Sequence, residues 1–322
     1  MKGDMKTSLI IGSRNRPRLL LETVESVLRG TQVPDEIVIV DQSDVPHPRL
    51  PTLTPDRPCA VRYLWSHTVG VSRAKNIALA AARYGVAIFT DDDILVDPEW
   101  LAVVQGALAA AGPRAVITGR VLPSRAEVPG GFVPTLVVAD TPAVYEGRIN
   151  TDVLPGCHMA AYRSALIGIG GFDERLGPGS PFRSAEDNDL GFRLLEAGYR
   201  IVFVPEAVVY HRAWRPAREY LPVRWAYGVA KGGFYTKYLS LADPYMLRRM
   251  VLDLARRTYA FPNRIQHERQ RAIGDLVYMA GVGYGAARWL LSQQGRRWPP
   301  KKHPFLNSGR GGSGRPARRR AP

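Results

Sequence analysis

The sequence predicts an α/β protein whose parallel sheet is covered by helices on both faces and is followed by a basic helical extension. Short apolar runs alternate with helical patterns through the first two hundred residues, as they do in a chain of βα units. The 322 residues are 45% hydrophobic, which is enough for a substantial core. Beyond His211 the composition shifts to helical segments with interleaved arginine and aromatic residues.

The individual elements follow from hydrophobic spacing and from turn residues. Apolar runs predict strands at residues 9–11, 37–40, 61–65, 86–90, 115–122, 201–204 and 208–210. Helical spacing predicts helices from Pro17 to just before Gly30 and over about 72–84, 98–111 and 186–197. The segment 124–155 is rich in Pro, Gly and Thr, so we expect a long loop over a site.

The formal net charge of +15 is unevenly distributed. Residues 1–211 hold 21 Lys and Arg against 24 Asp and Glu, whereas residues 212–322 hold 23 against 5. A near-neutral body with a strongly basic extension indicates that one part does chemistry and the other meets a polyanion. That polyanion would be a membrane surface, a nucleic acid or an acidic substrate.

Cysteine content and short motifs narrow the class of protein. Cys59 and Cys157 give no disulfide framework, and the residues after Met1 lack the apolar stretch of a signal peptide, so we expect a cytoplasmic protein. The loop after the first strand lacks G-x-G-x-x-G, and the chain has no G-x-x-x-x-G-K-[ST] phosphate loop. These absences disfavour an oxidoreductase and a P-loop ATPase.

Residues 245–261 have an amphipathic helical pattern. Six apolar residues share one face and four arginines the adjoining one: Met246, Leu247, Met250, Val251, Leu254 and Phe261, with Arg248, Arg249, Arg256 and Arg257. An interfacial helix on a membrane has this layout, and so has an ordinary docked helix with solvated arginines. The uncharged stretch 276–287 is shorter than the roughly 20 residues that span a bilayer. We therefore expect membrane contact without passage, and a disordered basic tail from Arg296 onward.

Three adjacent carboxylates, Asp91, Asp92 and Asp93, directly follow the predicted strand 86–90. Ligands of open α/β sheets bind at the carboxyl ends of strands, and packed carboxylates need a positive charge among them. The cluster therefore indicates Mg²⁺ or Mn²⁺ bound to a nucleotide phosphate. We expect Asp97 instead to cap the helix that opens with Pro98.

A second acidic cluster, Glu186, Asp187 and Asp189, opens the predicted helix 186–197. The helix dipole and capping by Ser184 would explain a carboxylate there. The density of carboxylates exceeds what capping requires, however, and one of them near a bound substrate could serve as a general base. His211 follows a strand and, taken alone, would more often be structural than a ligand.

In their order along the chain, these residues resemble the family 2 glycosyltransferases of the GT-A fold, over about residues 7–211. The resemblance rests on Ser13-Arg14-Asn15-Arg16-Pro17, Asp41, Arg73-Ala74-Lys75-Asn76, Asp91-Asp92-Asp93, Gly170-Gly171-Phe172-Asp173-Glu174, Glu186-Asp187 and Val209-Tyr210-His211. It implies a Rossmann-like mixed sheet flanked by helices. It also implies an enzyme that moves a sugar from a nucleotide-diphosphate sugar to an acceptor hydroxyl.

The resemblance implies roles for individual residues. Nucleotide contacts would come from Ser13, Arg14, Asn15, Arg16, Asp41, Arg73, Asp91 and Asp92. The metal, Mn²⁺ or Mg²⁺, would be bound by Asp93, with Asp91 and, as in some members, His211. Asp187 would be the catalytic base for an in-line, inverting displacement, a role that Glu186 could share or replace. Arg212 or Arg215 could assist the leaving diphosphate from a mobile loop.

The sequence as a whole thus predicts a GT-A catalytic domain at 1–211, a basic helical region at 212–295 on the acceptor or membrane side, and a tail at 296–322. The acceptor would be a saccharide or glycolipid, and the protein would be peripheral at the inner face of the plasma membrane. The alternative is a nucleic-acid- or membrane-binding protein with a catalytically inactive fold, favoured by Trp214, Trp225, Trp289 and Trp298 among the arginines. That alternative leaves both acidic clusters without a purpose.

Overall fold

One mixed sheet organises the described part of the chain, which is residues 5–293 of a computed structural model. Its strands are β1 Thr7–Ser13, β2 Glu36–Asp41, β3 Ala60–Trp65, β4 Val86–Asp91, β5 Ile94–Val96, β6 Ala115–Pro123, β7 Ala143–Tyr145, β8 His158–Tyr162 and β9 Arg200–His211. They lie in the order β3-β2-β1-β4-β8-β6-β9-β5, and β7 pairs with β9. The β3-β2-β1-β4 half is parallel, as is β6 with β9, whereas β8, β5 and β7 run antiparallel to their neighbours. A wholly parallel sheet was therefore the wrong expectation, and the mixed sheet is confirmed.

The helices are α1 Pro17–Leu28, α2 Val71–Ala81, α3 Trp100–Ala111, α4 Arg163–Gly168, α5 Glu186–Glu196, α6 Tyr220–Lys237, α7 Tyr245–His267 and α8 Arg269–Gln293. Successive side chains of β1 point to opposite faces of the sheet and so enter two different hydrophobic cores. Leu9 and Ile11 pack with α1 and α3, whereas Ile10 packs with α2 and α5. Helices therefore cover both faces of the parallel strands, as the βα alternation predicted.

Several boundaries differ from the predicted ones. The predicted strands 201–204 and 208–210 form one strand, β9, whose pairing with β6 skips residues 205–207. Pro205 has no N–H to donate to the β-ladder, so a bulge that leaves it unpaired avoids a missing hydrogen bond. A Cβ on Gly119 of β6 would overlap the carbonyl of Ala207, so the position opposite the bulge requires glycine. Asp97 lies two residues before the N-cap Glu99 of α3, and its Oδ1 accepts a hydrogen bond from the Glu99 N–H at 3.0 Å.

Helices α6 and α8 approach each other closely through glycines. Gly228 and Gly232 on α6, and Gly281 and Gly285 on α8, are each spaced four residues apart on one face. A Cβ on Gly232 or Gly285 would overlap backbone carbonyls of the opposite helix. This pair, together with α7, encloses a third core that includes Phe182, which precedes α5, so the core joins these helices to the part of the chain that forms the sheet.

Helix α7 confirms the docked interpretation for part of its apolar face. Met246 is buried, and Met250 and Leu254 pack against the same core, whereas Leu247 and Val251 are exposed. The solvated arginines of the docked interpretation are not found at Arg249 and Arg257, which form ion pairs with Asp152 at 2.6 Å and with Asp275 at 2.8 Å. Within residues 5–293, no helix has both the length and the apolarity to cross a bilayer. The predicted tail at 296–322 lies outside the described residues.

Candidate active site

The sheet brings the first group of predicted site residues to one edge. Ser13 ends β1 in register with Asp41 at the end of β2, and Asp91 ends β4 beside Gly12 of β1. His211, the last residue of β9, reaches the same place because β9 pairs with β5 directly after the acidic cluster. This edge is formed by carboxyl ends of strands, where open α/β sheets bind ligands.

A cation lies between two of the three adjacent carboxylates. Arg16 Nη1 is 3.1 Å from Asp92 Oδ1 and 2.9 Å from Asp93 Oδ2. The Ser13 hydroxyl donates to Asp92 Oδ2 at 2.7 Å, and His211 Nε2 lies 3.3 Å from Asp93 Oδ1. Asp92 is buried and its carboxylate contacts Ser13 and Arg16, so it anchors the loop that follows β1.

Asp92 and Asp93 differ in their proton affinity. Burial and the neighbouring charge of Asp93 raise the pKa of Asp92. Burial acts in the same direction on Asp93, but the hydrogen bond from His211 and the charges of His211 and Arg16 outweigh it and lower its pKa. A proton shared by this pair therefore resides on Asp92, and Asp93 stays ionised.

Asp93 and His211 fit a divalent cation. The Nδ1 of His211 donates to the Thr135 carbonyl at 3.1 Å, which directs Nε2 toward Asp93. Carboxylate oxygens suit Mn²⁺ and Mg²⁺, and neutral imidazole is a common metal ligand; Mg²⁺ usually takes one or two carboxylates plus substrate phosphates. The predicted third ligand, Asp91, turns its Oδ1 to Lys75 at 2.9 Å. Across residues 5–293, no three His, Cys, Asp or Glu side chains form a ready metal cage, so the three-residue ligand set is not preassembled.

The second acidic cluster lies next to Lys75. Asp187 Oδ2 accepts a hydrogen bond from the Gly156 N–H at 3.0 Å, and its Oδ1 accepts one from the Asn188 N–H at 2.8 Å. Burial raises the pKa of Asp187, and these two hydrogen bonds oppose the rise. Burial and then the charge of Asp187 raise the pKa of Glu186 to about 8, while Lys75 opposes the rise. Glu186 therefore carries a proton at neutral pH.

The backbone before this cluster is unusual. Ala185 is the N-cap of α5 and has a left-handed φ of 70°. Within the described residues no side chain caps this helix, so capping by Ser184, the alternative explanation for the acidic cluster, does not apply. Glu186 and Asp187 thus enter the first turn of α5 directly from a sharp bend. The helix dipole there favours their charge, but burial outweighs it and the pKa of each is raised.

The remaining predicted nucleotide contacts have partners of their own. Asn15 exchanges hydrogen bonds with Asp44, and Arg14 lies 3.8 Å from the same carboxylate, which ties together the loops after β1 and β2. Asp41 is buried and accepts hydrogen bonds from Ser43 and from the Tyr63 hydroxyl. Arg73 pairs with Glu174 at 2.8 Å. These residues line or support the edge, but the structure does not bring them into either acidic cluster.

Three further residues near the site have partners within the fold. His158 is buried and accepts from Trp100 Nε1 at 2.9 Å, and burial lowers its pKa to about 4, so it is neutral. Arg212 is held by Glu22 and Glu127. Arg215 is paired with Glu219 at 3.0 Å, and its buried Nε has no hydrogen-bond partner in the described part of the chain.

Sequence reasoning did not assign the two residues that join the clusters, Lys75 and Gly156. One signal was present, because Ser72, Lys75 and Leu79 share the buried face of α2 at helical spacing. A lysine on an apolar helix face is rarely fully buried without a paired charge. Its partners, however, lie far along the chain, so the pattern alone did not identify them.

Comparisons with known proteins point to one family. Residues 8–167 match the family described as Glycosyl transferase family 2. The chain is 28% identical over 169 residues to the pre-mycofactocin glycosyltransferase of Mycobacterium tuberculosis, which covers 50% of this chain and 34% of that protein. It thus spans about a third of that relative's length. It is 25% identical over 307 residues to the glucosyl-dolichyl phosphate glucuronosyltransferase of Haloferax volcanii, covering 89% of this chain and 97% of that protein.

A solved structure shows the same fold. The mannosyltransferase PcManGT from Pyrobaculum calidifontis, in complex with GDP-Man and Mn²⁺, matches with a TM-score of 0.58 over 90% of this chain and 88% of that chain. The sequences are 18% identical, so this likeness shows the fold alone. The predicted GT-A fold with a C-terminal helical region is confirmed.

Proposed function

We propose that this chain, which belongs to the family 2 glycosyltransferases, transfers a sugar from a nucleotide-diphosphate sugar to an acceptor hydroxyl with inversion at the anomeric carbon. One observation carries the proposal. Two carboxylate clusters meet at one edge of the sheet, with Asp93 beside His211 in one and Asp187 at the start of α5 in the other. This supplies a donor side and an acceptor side for a single displacement.

On the donor side, Asp93 and His211 would hold the divalent cation, which when bound stabilises the negative charge on the leaving diphosphate. The contact from His211 to the Thr135 carbonyl fixes the imidazole so that Nε2 faces the site. The Arg212 side chain is 10% exposed and is paired with Glu22 and Glu127, whereas the Arg215 side chain is 37% exposed and is paired with Glu219. Arg215 is therefore the better candidate for contact with an anionic substrate group.

On the acceptor side, Asp187 would act as the general base. Its two hydrogen bonds from backbone N–H groups orient the carboxylate and favour its ionised form. It would take the proton of the acceptor hydroxyl while the hydroxyl oxygen attacks the anomeric carbon and the nucleoside diphosphate departs. The raised pKa of Glu186, about 8, makes its carboxylate the minor form at neutral pH, whereas two backbone hydrogen bonds favour the ionised form of Asp187, so we assign the base to Asp187.

The helical region supports an acceptor at a membrane surface. Exposed apolar side chains recur along the last two helices: Leu247, Val251 and Tyr259 on α7, and Ile273, Leu276, Tyr284, Leu290 and Leu291 on α8. Arg248 and Arg256, both exposed, flank the α7 residues. The name of the Haloferax volcanii relative also contains a dolichyl phosphate sugar. We therefore favour a glycolipid acceptor, in polysaccharide or glycolipid assembly, with the enzyme peripheral on the cytoplasmic side.

The donor side is tested by nucleotide binding. Calorimetry with UDP, dTDP and GDP, each with and without Mn²⁺, should show metal-dependent binding of one nucleotide by the wild type. Asp93→Ala should lose the metal dependence, because a ligand is removed. Asp56→Ala, at an exposed aspartate away from the site, serves as the control and should bind like the wild type. Failure of all three nucleotides to bind would overturn the proposed function.

A further inference from the structure

A buried lysine lies between the two acidic clusters. Lys75 is 1% exposed and is among the largest fully buried side chains in the described residues. Burying an ammonium costs several kcal/mol unless charges and hydrogen bonds compensate. The Nζ of Lys75 is 2.9 Å from Asp91 Oδ1 and 2.9 Å from the carbonyl oxygen of Gly156, and it lies 5.6 Å from the ring centroid of Phe172. The positive charge of Lys75 is thus compensated by the Asp91 carboxylate on one side and by the Gly156 carbonyl on the other.

Gly156 connects Lys75 to the second acidic cluster. Its carbonyl accepts from Lys75, and its own N–H donates to Asp187 Oδ2 at 3.0 Å. The packing here is close, because a Cβ on residue 156 would lie 3.2 Å from the Asp187 Cβ and 3.5 Å from Lys75 Nζ. Glycine therefore allows the carboxylate and the ammonium to approach the same stretch of backbone from opposite sides.

We propose that Lys75 is a positioning residue that sets the place of the catalytic base relative to the donor side, through Asp91 and Gly156. The inference rests on the proposed function and adds to it a residue that acts through others. The ammonium holds the backbone at Gly156, and that backbone orients Asp187. Asp91, on the strand that leads to Asp93, is fixed by the same ammonium. One buried charge thereby sets the spacing between the donor half and the acceptor half of the reaction.

Two variants distinguish the effect of the position of Asp187 from the effect of the positive charge beside it. Lys75→Met keeps most of the side-chain volume but removes the charge and both hydrogen bonds. Gly156→Ala keeps the charge and crowds Asp187 by a few tenths of an ångström. Misplacing a reacting group by about 1 Å can cost roughly 100-fold in rate. We expect Lys75→Met to lower kcat by about that factor, and Gly156→Ala to lower it by less.

The pH profile distinguishes positioning from a merely structural role. Asp187 interacts with Lys75, Glu186, Asp152, Cys157 and Tyr227, and Lys75 is the cation that lowers its proton affinity. Loss of Lys75 should therefore move the acidic limb of kcat to higher pH, whereas Gly156→Ala should lower kcat and leave the limb in place. Lys75→Arg, which keeps a cation, should restore the limb. Arg83→Met, an exposed cation just beyond the same helix, is the matched control and should leave both unchanged.

The outcomes are distinguishable. Wild-type kcat and an unshifted limb in a folded Lys75→Met would overturn the inference while leaving the proposed function intact. If Lys75→Met does not fold, Gly156→Ala decides, and wild-type kcat in a folded Gly156→Ala would overturn it. An inactive wild type that binds no nucleotide would reject the proposed function itself.

Discussion

The protonation of Glu186 makes a prediction about stability that needs no substrate. This residue is 9% exposed in the first turn of α5. Burial, and then the charge of Asp187, raise the pKa of Glu186 from 4.5 to about 8 in the folded protein. The folded state therefore binds a proton that the unfolded chain releases at lower pH. Glu186→Gln removes this group and keeps its size.

The sign and size of the effect follow from linkage. A raised folded-state pKa contributes stability that is fully present below pH 4.5 and is lost as the pH rises through about 8. One pH unit in this window corresponds to about 1.4 kcal/mol for one proton. Between pH 5 and pH 8 the wild type should therefore lose on the order of 4 kcal/mol relative to Glu186→Gln.

Urea unfolding at pH 5, 6, 7 and 8 measures this difference. The two free energies of unfolding should diverge with pH, with Glu186→Gln the more stable protein at pH 8. The titrating groups outside this cluster are common to both proteins, so the difference reports Glu186 together with Asp187, whose charge interacts with it. Glu206→Gln, at an exposed position on β9, is the matched control and should follow the wild type. Parallel curves for the wild type and Glu186→Gln would refute the reasoning.

Three further predictions concern the base, the helices and the membrane. Asp187→Asn should lower kcat by roughly 10² to 10⁴ with nucleotide binding retained, and undiminished transfer would contradict the assignment. Gly285→Ala should destabilise the protein by roughly 1–3 kcal/mol, because its Cβ overlaps the facing α6 backbone. The same change at Gly283, where a Cβ meets nothing within 4 Å, should be nearly neutral by thermal unfolding. Sedimentation with anionic liposomes should weaken with salt and on changing Leu247 and Val251 to Asp, and equal binding to neutral vesicles would reject membrane attachment.

The predictable parts of the fold were those with a strong local pattern. The run 37–40 is continuously apolar and became the buried centre of β2. By contrast, β5 has three residues and β8 is a short run, His158–Tyr162, that pairs antiparallel between β4 and β6. Nothing local in such segments reveals which strands they will lie between, because that choice is made by tertiary packing.

The candidate site also has a part that could be predicted from the sequence and a part that could not. The cluster at 91–93 was predictable because it directly follows a buried strand and parallel topology fixes which edge it reaches. The contact of Lys75 with Gly156 joins residues 81 apart, and the contact of Gly156 with Asp187 joins residues 31 apart. Their sequence spacing carries no signal of contact, so only the assembled fold reveals the connection.

Each acidic cluster contains one carboxyl group whose environment favours the protonated form and a neighbouring one that receives hydrogen bonds favouring the ionised form. In the first, the pKa of Asp92 is raised and that of Asp93 is lowered. In the second, Glu186 holds a proton at neutral pH, whereas Asp187 receives two backbone hydrogen bonds that favour its charge. Adjacent carboxylates in different environments commonly take different roles in this way. This division would leave Asp93 charged for a cation and Asp187 able to accept a proton, which is the allocation that the proposed in-line displacement requires.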